Sequence, residues 1–276
     1  MKKLMVCGIV ILVLTGCNST DSSQGNGATI ENDMGVESEN SSQTTKEQTD
    51  QQQSKVDETT NQQTLTPEEV INETEKQLET NIPIKLPKVM NVSSGQHLTA
   101  KTTSDKNQYT VMFLETNEPI PINNDKLEGK EANIATLKAT GYGSAEQAAQ
   151  EINYEDHSKT GAHEVDLGFG ITGYSEGAAG SQYIGWNEGR WSLVVRGFTE
   201  QGEDVTQEAK NIVAFLEKNT LPAPHDIGAA ALDVTYKNDD RKQYITWQEG
   251  TIVYEVEMDK SAQDLLEILA SIQENK

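Results

Sequence analysis

Cysteine is nearly missing from this 276-residue chain. There are two, Cys7 and Cys17, and none follows position 17. The long remainder therefore has no thiol for a disulfide, a zinc site or a nucleophile. Basic side chains are also few, 22 Lys and Arg against 44 Asp and Glu, for a formal charge of −22. That balance repels phosphate polymers and anionic surfaces, so nucleic acid is excluded as a partner. The acidity reads as a solubilising surface. Long apolar runs are missing as well: Leu4 to Leu14 is about 11 residues, where a helix needs roughly 20 to cross a bilayer. No Walker loop, His-x-x-x-His spacing or EF-hand pattern occurs. No cofactor is called for by these patterns.

What is present begins with that short apolar run. It follows Met1-Lys2-Lys3 and ends in Leu14-Thr15-Gly16-Cys17. A basic start and a short apolar core read as a secretory signal. Thr15 and Gly16 are small enough to leave the backbone and the Cys17 thiol open to a processing enzyme. The stretch resembles the lipobox of bacterial lipoproteins. The resemblance implies cleavage between Gly16 and Cys17 and attachment of diacylglyceryl and palmitoyl chains at Cys17. The protein is then expected on the extracytoplasmic side of the cell membrane, its membrane contact made through the acylated cysteine. One chain binds only marginally and two or three hold firmly, so no second membrane contact is needed. Cys7 has no apolar core before it and leaves with the signal.

From Cys17 to Thr64 the chain is Ser, Thr, Gln, Asn, Gly, Asp and Glu, with Ile30, Met34, Val36 and Val56 scattered at no period. Such a segment buries too little apolar surface to offset its ordering entropy, and a disordered tether is expected. As a flexible coil it would reach about 35–40 Å. This composition resembles that of Firmicutes surface lipoproteins. The expected division is 1–16 signal, 17–64 tether and 65–276 globular domain.

The globular part opens at Thr66-Pro67-Glu68-Glu69, an N-cap, a first-turn proline and the acid of a capping box. Asn81 to Pro87 alternates Ile82, Ile84 and Leu86 with two prolines, which predicts an extended edge segment. Beyond it the chain repeats itself. Gln182-Tyr183-Ile184-Gly185-Trp186-Asn187-Glu188-Gly189 matches Gln243-Tyr244-Ile245-Thr246-Trp247-Gln248-Glu249-Gly250 at all but two positions. Each reads as a strand and a turn, here expected as a three-residue loop with a bulge, before a second strand. A strand is expected before each, around Val165 to Tyr174 and Ala229 to Tyr236. A capped helix follows each, with stripes Ala209, Ile212, Val213, Leu216 and Leu265, Ile268, Leu269, Ile272 at i, i+3, i+4, i+7. A fainter copy starts at Gln108-Tyr109. The reading is an α+β domain, an antiparallel sheet of repeated β-β-β-α units (about 96–153, 164–218 and 229–273) with helices on one face. Through Leu86-Pro87, the Trp-x-x-Gly hairpins and the closing Leu-rich helix, it resembles uncharacterised lipoprotein and anti-sigma-factor ectodomains.

Few residues suggest chemistry. Gly168-Phe169-Gly170-Ile171-Thr172-Gly173 spells the dinucleotide fingerprint but sits in a strand pattern with no helix opening inside it, so no nucleotide is expected. His157 and His163, in an acidic loop, are weak candidates for a divalent metal. Glu188 and Glu249 occupy equivalent turns, which argues for structural roles over an acid–base pair. Trp186, Trp191 and Trp247 are candidates for an aromatic binding surface. The expected function is a non-enzymatic envelope lipoprotein that binds an envelope protein or ligand. The alternatives are a hydrolase using carboxylates or the His157/His163 loop, and a solute-binding lipoprotein.

Overall fold

The computed structural model describes residues 64–127, 132–222, 224–234 and 243–272. The signal, Gly16, Cys17 and the tether up to residue 63 lie outside the described residues. Every described element belongs to one unit, Thr60–Lys276. In chain order these are α1 (Pro67–Lys76), β1 (His97–Asp105), β2 (Gln108–Thr116), β3 (Ala132–Gly141) and α2 (Ala145–Ala149). Then come β4 (His163–Gly168), β5 (Ile171–Ala178), β6 (Ser181–Glu188), β7 (Trp191–Phe198) and α3 (Val205–Leu216). Last are β8 (Gly228–Asp233), β9 (Gln243–Glu249), β10 (Ile252–Met258) and α4 (Ala262–Ser271). The fold class is α+β, mostly sheet with a few helices.

Among the described residues the ten strands form one sheet, in the order β1-β2-β3-β10-β9-β8-β7-β6-β5-β4. Neighbours are antiparallel except β7 and β8, which run parallel with Trp191 opposite Gly228. An all-antiparallel sheet was the expectation, and α3 is the reason for the departure. A strand that leaves through a helix laid over the sheet returns in its original direction.

Local chemistry explains the helix starts. Thr66 and Glu69 form a capping box on α1, and Ser261 and Asp264 form one on α4. Asp204 caps α3 by accepting from the Gln207 N–H, and Ser144 caps α2 by accepting from that of Gln147. The apolar stripes of α1, α3 and α4 join one cluster that contains Trp186, Trp247, Tyr109, Tyr254 and Phe113. Helix α2 belongs to a second, smaller cluster in which Ala148 and Ile152 meet Ala229 and Val253. Val253 alternates with Tyr254 along β10, so α2 lies on the opposite face of the sheet.

Three local expectations are corrected. Val165 to Tyr174 is a hairpin rather than one strand, because Gly168, Phe169 and Gly170 all have positive φ (88°, 53° and 79°) and turn the chain between β4 and β5. The second block therefore has four strands before its helix. The β6–β7 and β9–β10 loops have two residues rather than three, since Glu188 pairs with Trp191 and Glu249 with Ile252. Gly189 (φ 59°) and Gly250 (φ 61°) supply a positive φ at the first loop position alone, as in a type II′ turn, which matches strand twist without a bulge. Residues 82–88 are not an edge strand. They form a strap across the sheet: Tyr254 Oη donates to the Pro83 carbonyl (3.0 Å), the Lys85 N–H donates to Tyr109 Oη (3.0 Å) and the Lys88 N–H to Ser271 Oγ (3.2 Å). The strap thus spans β2 and β10 and reaches the end of α4. Two prolines remove ladder donors from it, and the amides of Ile82, Lys85 and Lys88 use side-chain acceptors.

Candidate functional site

The matched hairpins β6–β7 and β9–β10 turn at the same end of the sheet, and their Trp and Glu side chains share one face. Yet their surroundings differ. On β9, Trp247 Nε1 donates to Glu249 Oε1 (3.0 Å), and Lys85 Nζ of the strap pairs with the same oxygen at 2.9 Å. Lys85 and Glu249 side chains are only 12% and 11% exposed, so this is a nearly buried ion pair. The ammonium also stands 5.5 Å from the centre of the Tyr254 ring, which stacks on Trp247 at 5.1 Å. Carboxylate, indole N–H and aromatic face together replace the water that the ammonium gives up.

On β6 the same Trp-x-Glu stands without a lysine. Trp186 is fully buried, and among the described residues neither its Nε1 nor Glu188 Oε2 makes a hydrogen bond of good geometry, although the indole stands beside the carboxyl. Burial pushes the Glu188 carboxyl above its ordinary range, and Glu217 adds repulsion. The nearby Trp186 indole opposes this only in part. No cation among the described residues offsets it. Glu188 lines a cavity of about 450 Å³, with Trp191 and Leu193 of β7, Leu216 of α3, and Asn219 and Leu221 after it. That volume lies within the usual range for ligand sites, roughly 300–1,000 Å³. Arg190 is also at the rim, but its guanidinium is committed to the carbonyls of Pro224 (2.9 Å) and His225 (2.7 Å).

The other residues singled out by sequence are dispersed. Trp247 and Trp186 are core residues and form no aromatic surface; Trp191 alone of the three lines the cavity. His163 opens β4 and is exposed. His157 sits on the other face in a short 3-10 turn, buried against Gly185, where a Cβ would lie 2.2 Å from its Nδ1. The two histidines therefore serve different surroundings. Among the described residues no group of three or more His, Cys, Asp and Glu is placed to hold a metal ion. The glycines from Gly168 to Gly173 make a hairpin with no helix to meet a pyrophosphate.

A Ser–His–acid arrangement exists that the sequence did not suggest. His157 Nε2 lies 3.1 Å from Ser192 Oγ, and Glu155 Oε2 is 3.8 Å from His157 Nδ1. Its chemistry is that of a clamp. Ser192 Oγ is buried and accepts from the Glu155 N–H (3.2 Å), while Asn187 binds the His157 N–H (2.9 Å) and the Glu155 carbonyl (2.8 Å). These bonds pin the β3–β4 connection to the sheet and leave the hydroxyl no approach for a substrate.

No family model, curated protein or solved structure matches the chain. The site itself defines a sheet-borne cavity with an uncompensated carboxylate.

Proposed function

We propose that this is a lipid-anchored protein of the extracytoplasmic membrane surface that binds a ligand or envelope protein and does not catalyse. Acylated Cys17 makes the attachment, the segment from 17 to 64 acts as a spacer, and the Glu188 cavity is the binding site. The domain is further read as a β-β-β-α unit used repeatedly, with α3 and α4 the helices of its two clear copies. The matched hairpins and helix stripes support that reading; the extra strand β4 and the far-side position of α2 are its departures.

The observation that carries the binding reading is Glu188: half-buried in a cavity, its carboxyl neither ion-paired nor fully hydrogen-bonded among the described residues. A folded chain that tolerates an orphaned buried polar atom, at about 1–3 kcal/mol, has reason to keep it. A hydrolase with paired carboxylates fits less well. Glu188 and Glu249 are three strands apart, about 14 Å at roughly 4.8 Å per strand, whereas glycosidase pairs lie within roughly 5–9.5 Å.

Two measurements test this. Cys17→Ala should move the protein from membrane to soluble fractions and abolish labelling by a fatty-acid analogue; unchanged fractionation removes the anchor. A thermal-shift screen of charged and neutral solutes and short peptides should find compounds that stabilise the wild type but not Leu216→Trp, which fills the cavity. If none discriminates between the two proteins, the cavity is not a binding site.

A further inference from the structure

The two hairpins carry the same Trp-x-Glu at the same end of one sheet, and among the described residues only one of them is met by a lysine. At the covered hairpin an extended segment of the chain itself, Ile82-Pro83-Ile84-Lys85-Leu86-Pro87-Lys88, supplies the cover. It inserts one ammonium against Glu249, Trp247 and Tyr254, then reaches the last turn of α4 at Ser271. Aligning the hairpins puts Glu188 in the place of Glu249, Trp186 in that of Trp247, Trp191 in that of Ile252 and Leu193 in that of Tyr254. Aligning the helices puts Leu216 in the place of Ile272. The place corresponding to the strap is therefore the space between the end of α3 and the β6–β7 turn. That space is the cavity lined by Glu188, Trp191, Leu193 and Leu216.

We propose that this cavity receives a lysine side chain carried on an extended, apolar peptide segment of a partner protein, seated as the chain's own Lys85 is seated at Glu249. The inference rests on the cavity being a binding site and adds the chemistry of its ligand. Three observations favour an ammonium on a peptide over other occupants. Among the described residues Glu188 Oε2 and the Trp186 indole N–H make no hydrogen bond of good geometry, although the indole stands beside the carboxyl, and at the sibling site the matching atoms meet on one carboxylate oxygen shared with an ammonium. Glu188 and Glu217 make the entrance acidic, and Arg190 is held by backbone carbonyls, which disfavours anions. Apolar walls from Trp191, Leu193, Leu216 and Leu221 suit the alkyl stem and flanking aliphatic residues.

The strap's own sequence provides the probe. Acetyl-Pro-Ile-Lys-Leu-Pro-amide is titrated into the full chain by calorimetry, beside the same peptide with norleucine or acetyl-lysine in place of lysine. The lysine peptide should bind, with at least a tenfold weaker Kd for both replacements. Glu188→Gln should bring the same loss, whereas exposed Glu164→Gln on β4 should bring none. Free N-acetyl-lysine amide should bind more weakly than the peptide. Equal binding of lysine and norleucine peptides, or equal binding by wild type and Glu188→Gln, overturns the proposal. If Glu188→Gln does not fold, the peptide series on the wild type still decides it. Should the peptides fail while other compounds discriminate wild type from Leu216→Trp, the ligand class falls and the cavity stands as a binding site.

Discussion

Removing the ammonium from the covered hairpin measures what an ammonium is worth at the Trp-x-Glu site. Lys85→Met keeps the alkyl stem, the contact with Tyr254 and the backbone bond from Lys85 N to Tyr109 Oη, while deleting the charge. Glu249 would then stand 11% exposed with a single indole donor. Breaking a buried pair by deleting one partner costs about 3–5 kcal/mol. The Trp247 bond persists, so the lower end, about 3 kcal/mol, is expected. In a domain of this size that lowers Tm by roughly 6–12 °C. The assay is urea unfolding of the full chain followed by tryptophan fluorescence, as all three tryptophans lie in the sheet. Glu249→Gln in the Lys85→Met background removes the stranded charge and should restore about 2 kcal/mol, giving a coupling energy of that order. Glu188→Gln, with no cation to lose, should be neutral or stabilising. Similar losses for Lys85→Met and Glu188→Gln, or no recovery in the double variant, would refute the claim that the two hairpins differ in charge compensation.

Other consequences concern pH and close packing. The Glu188 carboxyl is raised by burial and by Glu217, so its contribution is fully present below the unfolded carboxyl pKa and is lost as pH rises through the folded value. The stability advantage of Glu188→Gln should therefore grow from pH 4 toward 7, read as the difference in Tm; an advantage that shrinks over that range contradicts the environment described. His157 behaves oppositely. Burial holds its imidazole below the ordinary value, against the pull of Glu155, Glu176 and Asp156, so stability present above about pH 6.5 is lost as pH falls below it. His157→Gln should flatten the Tm profile between pH 6.5 and 5. At Gly185 a methyl group would meet the His157 ring at 2.2 Å, so Gly185→Ala should cost about 1–3 kcal/mol and be largely rescued by His157→Ala.

Much of the fold was legible because local signals carried it. Thr66 with Glu69 and Ser261 with Asp264 wrote two capping boxes, and the i, i+3, i+4, i+7 stripes of α3 and α4 face the core as their period requires, with Leu216 alone only partly buried. What failed was whatever depended on partners distant in sequence. Ile82 to Pro87 alternates like a strand, but its bonding partners lie on β2, β10 and α4, far along the chain, and no pattern in the segment announces them. The β4–β5 hairpin was hidden because Phe169, a bulky residue, takes a left-handed conformation that only its flanking glycines hint at. The parallel β7–β8 pair follows from the path of α3, which helix periodicity does not encode.

The site shows the same limit in a sharper form. Read as sequence, Glu188 and Glu249 are equivalent, each two residues after a Trp and one before a Gly, and equivalence argued that neither was functional. The equivalence is local; the inequality arises from Lys85, which reaches one of them and not the other. The two hairpins carry half-sites alike in sequence, and a single strap compensates one. A hairpin that needed only packing could carry an apolar residue at position 188 at little cost, since removing both members of a buried polar pair is close to neutral. Retaining the carboxylate without its ammonium, beside an open cavity, is the arrangement expected when the missing cation comes from outside the chain.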